Sequence, residues 1–197
     1  MAGQALCLRR SPTLRMTLLL AALIHTGGLS QSGAEAAVYA ALLGESYHGV
    51  PASQMVVKDT TVAMPTLSGS SREWLREFES VPPDLLRQAR RLAPTHRHPL
   101  DATLFSSRTR LMPASDIDAI FTGVGVEENW SAFSSHAKAR GWLAFSDALL
   151  GDDQLNALVY YEARCGGVCG EGGYVWFRRD KVGSPWRVAR RIVSWAS

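Results

Sequence analysis

The sequence predicts a single α+β domain in which short helices pack on an antiparallel sheet ending in a four-stranded meander. Three observations carry this expectation. The chain has 197 residues, 46% hydrophobic and 20% charged, which suits one main domain and excludes collagen-like, coiled-coil and wholly disordered chains. Its C-terminal third is a succession of β-rich runs separated by turn residues. Before them, apolar residues recur at helical spacing between proline and glycine breaks.

Residues 1–34 read as a secretory signal peptide: a basic stretch with Arg9, Arg10 and Arg15, an apolar run from Met16 to Ile24, then small and polar residues. His25, Thr26, Gly27 and Gly28 cut the run short of the about 20 apolar residues that a membrane-spanning helix needs. Ser32-Gly33-Ala34 offers small side chains for cleavage before Glu35, leaving a mature domain over 35–197 with no transmembrane anchor. The leader holds no acid, so of 21 Lys+Arg and 18 Asp+Glu the remainder keeps 18 of each. The basic excess therefore leaves with the leader, and nucleic acid is not an expected partner. The expected location is the periplasm or the cell exterior.

The mature chain opens with EAAVYAALLGESYH, where Ala36, Val38, Tyr39, Leu42 and Leu43 predict an amphipathic helix. Gln54 to Val62 is rich in β-branched residues and predicts a strand. Ser70 with Glu73 forms a capping box before Trp74, Leu75 and Phe78, a short helix. After Pro82-Pro83, Asp84 is expected to cap a helix that turns Leu85, Leu86, Ala89 and Leu92 inward and Arg87, Arg90 and Arg91 outward. Pro94 and Pro99 bracket a turn holding His96 and His98, and Thr103 to Met112 reads as a further strand. Ser115 is expected to cap DIDAIF, and EENWSAFSSH to present Trp130 and Phe133 to a core. The meander follows in four runs, Trp142 to Leu149, Asn156 to Cys165, Gly173 to Lys181 and Trp186 to Trp195, with Gly151-Asp152-Asp153, Gly166-Gly167-Val168 and Val182 to Pro185 as connections. The preceding helices are expected to cover one face of this sheet.

Cys165 and Cys169 flank a glycine-rich hairpin tip, CGGVCGEGG. In an exported protein, two cysteines so placed face each other at bridging distance, and a disulfide is the expected state. A redox-active pair, or half of a zinc site completed by His96 and His98, are the alternatives; a redox pair normally sits at a helix N-terminus, which a hairpin does not provide. The runs GWLAFSDALL, NALVYYEARCGGVCGEGGYVWFRR and WRV and the closing SWAS resemble the C-terminal signature of a group of uncharacterised exported bacterial proteins. That resemblance implies a fold and an export habit and no particular reaction. Members carry a basic residue after the serine of the first of these strands; here Ser146 is followed by Asp147.

No GxSxG, Walker A, HExxH or dinucleotide fingerprint occurs. The acid pairs Asp116/Asp118, Glu127/Glu128 and Asp152/Asp153 fall at helix starts and turns, where carboxylates complement dipoles or close turns. His48 and His136 have no partner in sequence. Trp176, Trp186 and Trp195 are candidates to line one face of the meander together, and Arg178, Arg179, Lys181, Arg187, Arg190 and Arg191 make its end locally basic. No residue is assigned a catalytic, cofactor-binding or metal-binding role, and no cofactor is expected. The function expected is a non-catalytic module that binds a protein, glycan or small ligand. The alternatives are an envelope hydrolase with its site around His96, His98 and nearby acids, and a thiol/disulfide redox protein using Cys165 and Cys169.

Overall fold

Runs such as ALVYY in the C-terminal third have apolar residues at both parities, so their strands must be covered on two faces. The computed structural model describes residues 33–67, 72–91, 97–122 and 125–197, without the side chains of Arg72 and Glu73. These residues lie within one compact unit and form a single α+β domain. Residues 1–32, Ser70, Leu92 and His96 lie outside the described residues, so the leader, the Ser70–Glu73 capping box and half of the histidine pair are not placed.

In chain order the elements are helix α1 (Gly33–Leu42), the strands β1 (Ser46–Tyr47), β2 (Val50–Pro51) and β3 (Met55–Lys58), and the helices α2 (Arg72–Arg76) and α3 (Pro83–Arg91). Then come β4 (Leu111–Met112), α4 (Ala114–Ile120), α5 (Val126–Ala137), β5 (Gly141–Phe145), β6 (Leu149–Leu150), β7 (Asn156–Gly166), β8 (Cys169–Arg178) and β9 (Arg187–Ala196). Single 3-10 turns stand at Ala52–Gln54 and Ala102–Leu104. The meander forms as expected, β5-β7-β8-β9, antiparallel throughout. The sheet continues past it: β3 lies parallel to both β5 and β4. The β1–β2 hairpin stands apart.

Helices cover both faces of this sheet, which corrects the one-face expectation. One face presents Met55, Val57, Leu143, Phe145, Val159, Tyr161, Val175 and Phe177 to Val38, Tyr39 and Leu42 of α1. On the other face, Leu158, Tyr160, Tyr174 and Ile192 meet Phe78, Leu85 and Ala89 of the α2–α3 region, while Val56, Trp142 and Ala144 meet Ile117 and Phe133 of α4 and α5. Every residue of β5 is consequently buried. Burial of this kind stabilises by about 25 cal/mol per Å² of apolar surface, and three layers obtain it from a short chain.

Several boundaries differ from expectation. The β3 strand is shorter than Gln54–Val62 because the 3-10 turn takes its start. Thr103 to Met112 is mostly irregular, and Leu111–Met112 alone reaches β3. Asp84 sits inside α3, and its Oδ2 accepts from the Asp152 amide (2.9 Å), tying the helix to the β6–β7 turn instead of capping it. Ser115 gives no cap; the Ala114 amide donates to Asp59 Oδ1 (2.9 Å). Strand β9 is an edge, and its two register shifts opposite β8, with Arg187 and Arg190, protect it from further pairing.

Close approach of β8 and β9 requires Gly173, where an added Cβ would strike the Ile192 carbonyl and Val193 Cα. Gly173→Ala is expected to lower stability by about 1–3 kcal/mol, read as a lower urea midpoint.

Candidate functional site

The β5–β7 ladder breaks after Phe145, and the break builds a site. Ser146 is 1% exposed; its amide still donates to the Tyr160 carbonyl (2.9 Å), and its hydroxyl accepts from the Tyr160 amide (3.0 Å) while donating to the Asp147 carbonyl (2.9 Å). With both Tyr160 backbone groups satisfied, Asp147 is free to leave the sheet before β6 resumes pairing with β7. Asp147 Oδ1 then meets His98 Nε2 at 3.2 Å. From α1, Tyr39 donates its hydroxyl proton to Glu35 Oε1 (2.9 Å), with the Ser146 carbonyl at 3.3 Å. Burial raises the Glu35 carboxyl above its ordinary range, the Tyr39 and Ala148 hydrogen bonds oppose this, Asp147 adds to the rise and His98 counters it. Burial next to Glu35 likewise pushes the Tyr39 phenol up.

His98 begins a strap, residues 97–110, laid along α1. Its first part is tied to the sheet: the His98 amide donates to Thr61 Oγ1 (3.0 Å), the Thr61 amide to the His98 carbonyl (2.9 Å), and the Leu100 amide to the Asp59 carbonyl (2.6 Å). Its end is held by Arg110, whose guanidinium donates to the Ala137 (2.6 Å) and Lys138 (3.0 Å) carbonyls at the C-terminus of α5. Between these pins, Asp101 caps the 3-10 turn, accepting from the Thr103 amide and hydroxyl at 2.8 Å each. Phe105 packs on Tyr39 and Phe145.

Strap and helix enclose a cleft of about 260 Å³. Its walls are Ala40 of α1 and Leu43 just past its end, Met55 and Val57 of β3, and Leu104 and Phe105 of the strap; Ser53, Ser106, Arg108 and Thr109 form the rim. None of Glu35, Tyr39, His98 and Asp147 lines it. The polar cluster therefore fixes one end of the wall rather than facing the cleft.

The sequence singled out His98 and nearby acids without showing which acid would meet the histidine. Glu35, His98 and Asp147 come from three distant segments, so spacing carried no signal; the one local clue was Ser146 followed by Asp147. His48 does have partners: its Nε2 lies 3.0 Å from the Gly170 carbonyl and 3.7 Å from Glu171 Oε2. Beside it, Arg191 pairs with Glu45 (3.2 Å) and Glu171 (3.4 Å) and stacks on Tyr47 and Tyr161, fastening the β1–β2 hairpin to the sheet. The three C-terminal tryptophans do not share a face: Trp186 joins the core under α1, whereas Trp176 and Trp195 lie on the α2–α3 side, bonded to Asn156 and Tyr160. Nor is the basic end continuous, since Arg179 is buried and Arg190 and Arg191 pair with glutamates.

Cys165 and Cys169 stand at disulfide bonding distance across the β7–β8 tip, with Cα atoms 5.0 Å apart. The tip is not wholly clear of helices, because Gly167 packs against Val126, the first residue of α5. Glu127 and Glu128 already stand in that first turn, so its dipole is met by carboxylates and not by a thiolate. The cysteines flank the start of β5, beside Gly141, whereas His98 lies past the other end of that strand; among the described residues no group of three His, Cys, Asp or Glu can hold a metal. Comparison with families of known proteins, with curated proteins and with solved structures finds no match.

Two outcomes follow from this geometry. Because Glu35 titrates higher in the folded chain than unfolded, its contribution is complete at low pH and is lost as pH rises through its folded value. The melting temperature of the native protein minus that of Glu35→Gln should therefore fall as pH rises above the ordinary carboxyl value of 4.5; a flat difference contradicts it. Replacing both cysteines by serine closes no loop in the unfolded chain and should cost only about 2 kcal/mol, with thiol alkylation of the native protein appearing only after reduction.

Proposed function

We propose that this chain is an exported, non-catalytic module that binds a small, mainly apolar ligand bearing an anionic group in the cleft between α1 and the strap. The observation that carries the reading is the cleft itself, with apolar walls and a rim of Ser53, Ser106, Arg108 and Thr109. Ligand sites commonly combine such a lining with a few orienting polar groups. Arg108 is exposed at the mouth and makes no ion pair among the described residues, which leaves its guanidinium available for a carboxylate. Export is supported by the layout of the leader and by the cysteine pair at bonding distance.

A second reading, acid–base hydrolysis, is favoured by one observation: a carboxyl raised by burial, Glu35, stands within electrostatic reach of the His98–Asp147 pair. It ranks second because these groups bond one another and the backbone and do not line the cleft.

Calorimetric titration with octanoate, and with octanol as its uncharged counterpart, tests the leading reading. Saturable binding of octanoate is expected. Ala40→Trp, which adds bulk at an exposed position of the wall, should weaken both ligands at least tenfold, and Arg108→Gln should weaken octanoate while sparing octanol. No saturable binding, or binding indifferent to Ala40→Trp, overturns it.

A further inference from the structure

Arg179 follows β8 directly, and the pattern of exposed charges around it, Arg178, Asp180 and Lys181, gives no hint of its placement. It is 6% exposed. Its backbone amide donates to the Leu155 carbonyl (2.9 Å) and its Nε to the Gln154 carbonyl (2.7 Å), beneath a turn in which Gln154 takes the left-handed conformation, φ 56°. The guanidinium carbon lies over the Trp186 ring, 4.3 Å from its centroid. Trp186 is itself 7% exposed.

Two donors of this stacked pair, Arg179 Nη2 and Trp186 Nε1, are fully buried and make no hydrogen bond. No carboxylate among the described residues pairs with the guanidinium; the nearby Asp180 is exposed and faces Arg187 (3.8 Å). A buried cation without a counter-charge and a buried N–H without an acceptor are each costly, and native proteins rarely retain either. Trp142 Nε1 is also unbonded, but it stands as one neutral donor with no guanidinium partner. At Arg179 a formal positive charge and two unbonded donors coincide, and one acceptor carrying negative charge would answer both.

We propose that Arg179 and Trp186 form a binding site for one small inorganic anion of halide size, held between the guanidinium Nη2 and the indole N–H. The choice of a compact anion follows from burial: both atoms are sealed from solvent, which favours an ion of small volume over a bulky oxyanion. The site lies between the sheet end and the β6–β7 turn, apart from the cleft beside α1, and does not depend on the ligand proposed there. Its role is to neutralise the charge buried under Trp186 and to fasten the turn to the sheet.

The test is thermal unfolding of the full chain while chloride replaces gluconate at constant ionic strength. A saturating rise is expected, about 5–10 °C at a hundredfold excess over the dissociation constant. Trp186→Phe keeps the ring and removes one donor, and should cut the apparent chloride affinity at least tenfold; Arg179→Met should abolish the dependence. If Arg179→Met does not fold, Trp186→Phe decides alone. A native melting curve indifferent to chloride, or a dependence kept in full by Trp186→Phe, overturns the proposal.

Discussion

Strand β7 is buried on both faces, so each of its backbone groups needs a partner, and at Tyr160 that partner is Ser146. The serine hydroxyl takes the amide that a continuous ladder would have taken, while the serine amide keeps its own bond to the Tyr160 carbonyl. An alanine there would leave a buried N–H unbonded, a loss of about 1–3 kcal/mol. Because Ser146 completes the pairing locally, the chain can turn out of the sheet for Asp147 and Ala148 and rejoin it at Leu149. Asp147, freed in this way, receives His98, and His98 starts the strap that walls the cleft.

The remainder of the architecture follows from covering a sheet that is apolar on two sides. Helix α1 supplies one layer together with the strap and the β1–β2 hairpin beside it, and Arg191 secures that hairpin between Glu45 and Glu171. The opposite face is shared by two helical groups, α2–α3 over the meander and α4–α5 over the parallel edge. At the far edge, β9 carries register shifts and arginines in place of a covering layer.

What was legible in the sequence was local. The meander could be read because each hairpin joins strands adjacent in chain order and its turns carry glycine and aspartate. The cysteine pair could be placed because four residues of separation span a hairpin tip. The parallel pairing of β3 could not be read: its partners at Leu111–Met112 and Gly141–Phe145 share no turn with it, and period alone does not distinguish a two-sided strand's neighbours. The same limit hid the site. His98 was visible as a histidine in a proline-bracketed loop, but its meeting with Asp147 depends on a break in a ladder, and Glu35 joins them only after α1 has docked. By sequence Arg179 belongs to the basic row at the end of the meander, and alternation fails where a strand ends; the chain past Arg178 turns it under Gln154.

Hydrogen exchange resolved to single amides across residues 97–110 tests the central claim, that the strap is a fixed wall and not a loose loop. The His98 and Leu100 amides, bonded to Thr61 Oγ1 and the Asp59 carbonyl, should be protected to nearly the level of β3. Protection should drop at the exposed residues Ser106 to Arg108. Exchange at free-peptide rates throughout the segment would contradict the account, since a strap open at both ends would leave α1 with no cleft beside it.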